Sequence, residues 1–321
     1  MTSKKNVYFK KLLFLVVLAC CAAALYQFTD VDINFFSFAM RIRGPRLAAM
    51  FLASFCVGVA SILFQTIINN VIVTPCLLGM NALYVLIHTS VVFLIGSGSK
   101  LSVNSPISFV VDLLSMAVVA VLIYGYLFQK AGGNILYILL VGSVLTTLFS
   151  SISTTMQRMM DPNEFDQLQN SLIASFERVN ADAIWIAVMA ILILVVWLWR
   201  QFPLLDVLVL GKHQAINLGV DYEKVSRKML VGVTILIGIA TALVGPISFL
   251  GLIIANLSRQ LFKTYQHRYL TFGAALVGMV ILFAGQTLVE QVFHFGANIN
   301  AFINIGGGAY FLYLLLRGEK Q

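Results

Sequence analysis

Ten apolar runs divide this chain: 12–28, 47–67, 77–95, 107–127, 134–153, 183–202, 229–244, 247–262, 270–292 and 298–316. A helix needs about 20 apolar residues to cross the hydrocarbon core of a bilayer, so each run is read as a membrane-spanning helix. The seventh and eighth runs are short and meet at Gly245-Pro246, a helix-breaking pair. They form two short spans or one kinked span. Ten spans return the chain to the side on which it starts. The pattern predicts an all-α polytopic membrane protein, one transmembrane domain over 1–321, with no polar stretch long enough for a soluble domain.

Two polar stretches interrupt the runs. Residues 156–182 are acidic and carry enough periodicity for a short surface helix, and 203–228 form the longest polar loop on the opposite side. With the N-terminus in the cytoplasm, fifteen of the 21 Lys and Arg residues fall inside and six outside. Positive charge favours the inner side, so both termini are expected inside, 156–182 outside and 203–228 inside. Arg41, Arg43 and Arg46 break the rule by crowding on the outer side. No internal repeat is evident in the sequence.

Composition agrees. Hydrophobic residues make up 60% of the chain, charged residues 11%, and mean hydropathy is +0.93. The net charge of +8 does not gather on a polar face and accompanies no nucleic-acid motif, so nucleic acid is not an expected partner. Cys20, Cys21, Cys56 and Cys76 lie in or beside apolar runs without metal-type spacing, and are read as small buried hydrophobes. Lys4, Lys5, Lys10 and Lys11 ahead of an apolar run that contains Val17-Leu18-Ala19-Cys20 imitate a lipoprotein signal. The continuation as further apolar runs makes 12–28 an uncleaved first span.

Chemistry is sparse. No G-x-x-x-x-G-K-[ST] is present, so ATP binding through a P-loop is not expected, and His88, His213, His267 and His294 are scattered with no H-E-x-x-H. No G-x-S-x-G occurs either. Catalytic and metal-ligating residues are expected to be absent. Asp112 is the clear ionisable candidate for an ion relay at membrane depth, with an interfacial or hydrogen-bonded carboxylate as its ordinary reading. A transporter of this composition needs an external motor or, as the competing reading, an ion gradient.

Four segments then resemble the FecCD-type permeases of iron–siderophore, haem and vitamin B12 ABC importers. Arg43-Gly-Pro-Arg46 ahead of the second run resembles the family's R-x-P-R, with Gln65 and Asn69 or Asn70 in its Q-x-x-x-x-N. Thr74-Pro-Cys-Leu-Leu-Gly79 resembles D-P-x-L-L-G, with Thr for Asp. Leu210-Gly211-x-x-x-Ala215-x-x-Leu218-Gly219-Val220 matches the coupling loop, and Gly245-Pro-Ile-Ser-Phe-Leu-Gly251-Leu resembles G-P-I-x-F-x-G-L. The segments stand in the family's order over nearly the whole chain, each on the expected side. Ala255-Asn256 stands where the family has Pro-His, as in one half of catecholate-siderophore importers built from two different permeases.

The resemblance implies a multi-pass protein of the bacterial cytoplasmic membrane, a transport subunit and not an enzyme. Its partners would be a second homologous permease, two ATP-binding subunits and an extracytoplasmic substrate-binding protein. No cofactor binds directly: ATP acts in the partner subunit, and iron travels as a siderophore complex, haem or cobalamin being the alternative cargo. Gly211, Ala215, Leu218, Gly219 and Val220 would couple to the ATPase, Leu218 and Val220 as an apolar knob. Arg43 and Arg46 would meet acidic residues of the binding protein, with Pro45 keeping the segment extended; snorkelling to lipid phosphates is the other reading. Asn69, Asn70, Gly132, Gly133 and Asn134 would form a cytoplasmic gate, or simply cap their helices. Gln65, Gln286, Asn298 and Asn300 either line the path or hydrogen-bond between helices.

Overall fold

The computed structural model describes residues 2–30, 36–96, 98–99, 105–131, 135–177, 179–294 and 298–318. Among these the chain forms helices α1 (Thr2–Phe28), α2 (Phe36–Ile68), α3 (Met80–Ile95), α4 (Pro106–Ala131), α5 (Ile135–Arg158), α6 (Pro162–Leu172) and α7 (Ala181–Trp199). There follow α8 (Phe202–Leu208), α9 (Lys212–Asn217), α10 (Tyr222–Val244), α11 (Leu250–Phe262), α12 (His267–Gln291) and α13 (Ile299–Gly318), with a 3-10 turn over Pro75–Leu78. Eight helices are long and apolar enough to cross a membrane, and α3 and α11 are two shorter apolar ones. Together they correspond one for one to the ten apolar runs.

Two runs differ in extent. α2 starts eleven residues before its apolar run, carrying Pro45 inside the helix, so Arg43 and Arg46 lie on helical and not extended chain. α10 begins at Tyr222, its first turns being the polar cytoplasmic residues ahead of the run, and Asp221 caps it by accepting from Lys224 N at 3.1 Å. The seventh and eighth spans are thus separate helices, broken over residues 245–249. Gly245 makes the break possible: its φ is +87°, and a Cβ there would stand 2.8 Å from Ala174 Cα. Within the acidic external stretch Asp161 caps α6 through Asn163 N at 2.9 Å.

The buried centre is α2, which packs chiefly against α10 and α12, while α1 covers α12 and α4 covers α10. Residues such as Met50, Ile62, Leu63 and Phe64 of α2 are fully enclosed. The outward faces of α4 and α7 present Leu122 and Ile193, as lipid-facing helices do. Cys20 and Cys21 also face outward, on the exposed side of α1, whereas Cys56 is buried. The expectation of burial fails for the first two because a helix 17% buried over its apolar window leaves most positions open.

A repeat hidden from the sequence emerges. In each half a long buried helix (α2, α10) leads through a proline-bearing break (Pro75, Pro246) to a short helix (α3, α11). A long helix follows (α4, α12) and packs on the first helix of the other half. On the topology above α2 runs inward and α10 outward, so the halves are inverted. The two breaks touch: Cys76 Sγ lies 3.5 Å from the Ile247 carbonyl, and Asn81 Nδ2 is 3.5 Å from Ser248 Oγ. Non-helical backbone at this depth persists because protein surrounds it.

Candidate functional site

The cytoplasmic loop is anchored before it is shaped. Phe202, Leu205 and Leu208 bury one face of α8, which leaves Asp206 on its edge beside the start of α12. Asp206 Oδ1 accepts from the His267 backbone N–H at 2.9 Å and from His267 Nδ1 at 2.6 Å. A carboxylate at a helix N-terminus is favourable, and here it also fixes a fully buried imidazole. On the far side of that ring, Nε2 lies 2.8 Å from Thr66 Oγ1. Thr66 Oγ1 also donates to the Ile62 carbonyl at 2.9 Å.

The chain of contacts continues into the centre. Arg259 of α11 donates from Nε to Gln65 Oε1 at 3.0 Å and from Nη2 to Thr66 at 3.5 Å. Gln65 Nε2 donates to the Val71 carbonyl at 2.6 Å, and Asn256 Nδ2 reaches the same carbonyl at 3.0 Å. Loop helix α8 is therefore connected through side chains to α12, α2, α11 and the segment after α2. Asn256, the departure from the family's Pro-His, is part of this connection.

Beyond Gly211 (φ +94°), α9 is a short helix with two faces. Ala215 is fully buried and Val220 packs against the core, so they brace the loop. Leu210, Ile216 and Leu218, exposed by 52%, 52% and 62%, point away from it. Leu218 faces outward with Leu210 and Ile216, whereas Val220 faces inward. Gly219, at φ +80°, closes α9: its N–H bonds the Ile216 carbonyl at 2.9 Å and the Val220 N–H bonds the Ala215 carbonyl at 3.0 Å. This is a Schellman cap. Gly211 rather than Gly219 separates the two short helices; Gly219 separates α9 from α10. A Cβ at Gly219 would meet nothing within 4 Å. Gly219→Asn should therefore retain uptake, because Asn tolerates the left-handed region, whereas Gly219→Val adds strain of about 1–2 kcal/mol and should lower it. Equal uptake by both variants would show that backbone strain is not what matters here.

Asn69 and Asn70 end α2 in the same manner. Asn69 has φ +53°, its N–H bonds the Thr66 carbonyl at 3.2 Å, and the Asn70 N–H bonds the Gln65 carbonyl at 3.1 Å. Capping is thus their observed structural role, at the cytoplasmic end of the buried centre. Gly132, Gly133 and Asn134 lie outside the described residues.

On the external side, Arg43 Nη1 donates to the carbonyls of Tyr26, Gln27 and Thr29 at 3.1, 3.3 and 2.8 Å, tying down the end of α1. Arg43 and Arg46 both approach Glu290 of α12, at 3.9 and 3.6 Å. Tyr26 Oη and Gln286 Nε2 each donate to Glu290 Oε1 at 3.1 Å. The extended, outward presentation expected of the R-x-P-R arginines is not what the chain adopts. Helix α2 turns both guanidinium groups onto a buried carboxylate, and Arg41 is the exposed cation.

Of the polar amides, Gln65 and Gln286 make the contacts above, and Asn298 Nδ2 donates to the Ala174 carbonyl at 2.7 Å. Sequence reasoning missed Asp206, His267 and Glu290 as partners, since they meet residues 61, 201 and 244–264 positions away. It also missed a legible pattern: Ser143, Thr147, Ser151 and Thr155 recur every four residues on the exposed face of α5. A hydroxyl stripe along a spanning helix faces water or a protein partner more readily than lipid.

The loop, the paired breaks and the external arginines stand in one order along the chain, and the FecCD transport family model matches residues 11–317. The chain belongs to the FecCD transport family. Among its curated relatives, the petrobactin import system permease protein YclO of Bacillus subtilis is 42% identical over 97% of this chain and 98% of its own length. The petrobactin import system permease protein FatC of Bacillus anthracis is 36% identical over 84% of this chain and 77% of its own. Among solved structures, an inward-facing metal-chelate type ABC transporter superposes with a TM-score of 0.81 at 20% identity, over 96% of this chain and 99% of that one. That likeness shows the FecCD member's fold.

Proposed function

We propose that this chain is the membrane-spanning permease of an ATP-driven ABC importer for iron–siderophore complexes, placed as a multi-pass protein in a bacterial cytoplasmic membrane. The observation that carries the motor-driven reading is the cytoplasmic loop: exposed Leu210, Ile216 and Leu218 ride on α8–α9. Asp206 and His267 lock the same loop to the buried helices. An apolar knob on a rigid loop suits an ATPase groove, and a rigid link suits transmission. The relatives YclO and FatC, whose names specify petrobactin import, favour a siderophore cargo. A vitamin B12 permease of Vibrio cholerae is less similar, at 26% identity.

In this reading two ATP-binding subunits hold the α8–α9 loops of this chain and of a second homologous permease. Movement of the loop shifts the starts and ends of α12, α2 and α11 together through His267, Thr66 and Arg259. The segment after α2, capped by Asn69 and Asn70 and held at the Val71 carbonyl, acts as the cytoplasmic gate, with residues 132–134 assigned to the same gate. The hydroxyl stripe of α5 lines the path against the partner permease. An extracytoplasmic binding protein delivers the chelate to the surface bearing Arg41, Arg43 and Arg46.

The test is a pulldown of the full chain from native membranes, followed by nucleotide binding to the purified material. An ATP-binding subunit and a second permease should co-purify, and nucleotide should bind only to preparations containing that subunit. Saturable ATP binding by this chain alone would overturn the reading.

A further inference from the structure

The external half holds a constellation that import does not use. His88 of α3, Asp112 of α4 and Ser171 of α6 meet, with His88 3% and Asp112 2% exposed. His88 Nδ1 lies 2.8 Å from Asp112 Oδ2, and Nε2 lies 2.9 Å from Ser171 Oγ. Ser171 Oγ also donates to the Leu168 carbonyl at 2.7 Å. A serine held in that way is not an activated nucleophile, and the order Ser–His–Asp does not by itself make a hydrolase. The remaining carboxylate oxygen, Asp112 Oδ1, is buried and has no hydrogen-bond partner among the described residues.

These side chains stand in the wall of a cavity of about 410 Å³, shared with Tyr84, Ser108 and Gln167. Small-molecule pockets run from roughly 300 Å³ upward, so the space exceeds what a bare ion needs and suits a small polar molecule. Two helix C-termini (α6, α10) and two N-termini (α4, α7) border it, so their dipoles largely offset one another and Asp112 sets the sign. Among the described residues, the charged ones on the neighbouring external segments are mostly acids, Glu164, Asp166, Glu177 and Asp182, with Arg158 at the end of α5. The other charges of α4 and α10 are at their cytoplasmic ends. The Tyr84 ring, stacked on His88 with centroids 5.8 Å apart, adds an aromatic wall that tolerates a cation.

We propose that this external cavity binds a small organic cation, an ammonium group on a short polar chain, which donates to the free Asp112 oxygen. The ligand is a molecule other than the transported chelate, since the cavity lies within one permease, among α3, α4, α6 and α10, away from the exposed stripe of α5.

Isothermal titration of the purified transporter complex in nanodiscs tests this, with 4-aminobutan-1-ol as probe and 1,4-butanediol as its uncharged control. The amino alcohol should bind saturably, once per chain. Asp112→Asn should weaken binding at least tenfold. Gln167→Lys, on the exposed side of α6, sets an ammonium at the cavity mouth without touching the core and should weaken it by about tenfold as well. Should Asp112→Asn fail to fold, the Gln167 variant decides. No saturable heat in the wild type, equal binding of the diol, or wild-type affinity in Gln167→Lys would each overturn the proposal.

Discussion

Asp206→Ala is expected to reduce ATP-driven uptake tenfold or more while leaving the ATPase bound. The carboxylate is the only one the described structure places on His267, through both the ring and the backbone N–H. Removing the carboxylate leaves the buried His267 ring and its backbone N–H without their acceptor, about 1–3 kcal/mol for each buried group left unsatisfied. The apolar contacts proposed for the ATPase, Leu210, Ile216 and Leu218, are untouched, so association should persist and only transmission should fail. A double-mutant cycle with Thr66→Val measures the connection directly. Coupled residues should give a non-additive loss of about 0.5–3 kcal/mol in uptake or thermal stability. Full uptake by Asp206→Ala, or strict additivity with Thr66→Val, would remove the relay from the account.

Glu290→Gln is expected to have the second large effect, on folding. Arg43, Arg46 and Glu290 have side chains only 16%, 19% and 5% exposed, and the single carboxylate serves both cations as well as Tyr26 and Gln286. Its removal leaves two half-buried guanidinium groups without a counterion, which costs about 3–5 kcal/mol. The recovered protein should melt several degrees lower or fail to accumulate. Replacing the whole cluster by Glu290→Gln with Arg43→Met and Arg46→Met should recover much of that loss, because an apolar substitute needs no desolvated charge. Thermal melting of the variants in detergent reads the order. The same geometry changes what charge reversal means: Arg43→Glu with Arg46→Glu would gather three carboxylates and unfold the corner before docking was tested. The apolar triple variant separates the two roles, since a folded protein that no longer binds its substrate-binding protein would show that the arginines also dock. A Glu290→Gln protein that melts like the wild type would contradict the structural part.

The ten spans were legible because each is a long apolar run bounded by charge, and hydrophobicity alone sets their number. The loop was legible from Gly211 and Gly219, whose positive φ leaves a mark in residue type. The ends of α2 and α10 were not, because Arg41 to Arg46 and Tyr222 to Lys228 are polar yet helical, continuing spans beyond the lipid. The inverted repeat escaped because it preserves packing and the prolines at 75 and 246, not side chains. Asp206, His267, Glu290 and the His88–Asp112 pair escaped for a related reason. Each acquires its partner only when helices distant in sequence come together, and a lone polar residue in an apolar stretch does not name that partner. Asp112 shows the limit well: its buried, hydrogen-bonded state was foreseeable, but the cavity beside it was not. Ala215 and Val220 show the converse. The motif names them, yet burial assigns them to bracing the loop, and Ile216, one residue beyond Ala215, to the exposed face.

The most direct test of the central claim measures what drives uptake. Proteoliposomes would contain this chain, its co-purifying permease and ATP-binding subunit, with the substrate-binding protein and a radiolabelled iron–petrobactin complex supplied on the external side. ATP enclosed with the ATPase should produce accumulation against a gradient. That accumulation should vanish when the nucleotide is replaced by a non-hydrolysable analogue, and should be unaffected by a proton or sodium ionophore. Accumulation driven by an ion gradient in the absence of ATP would contradict the account.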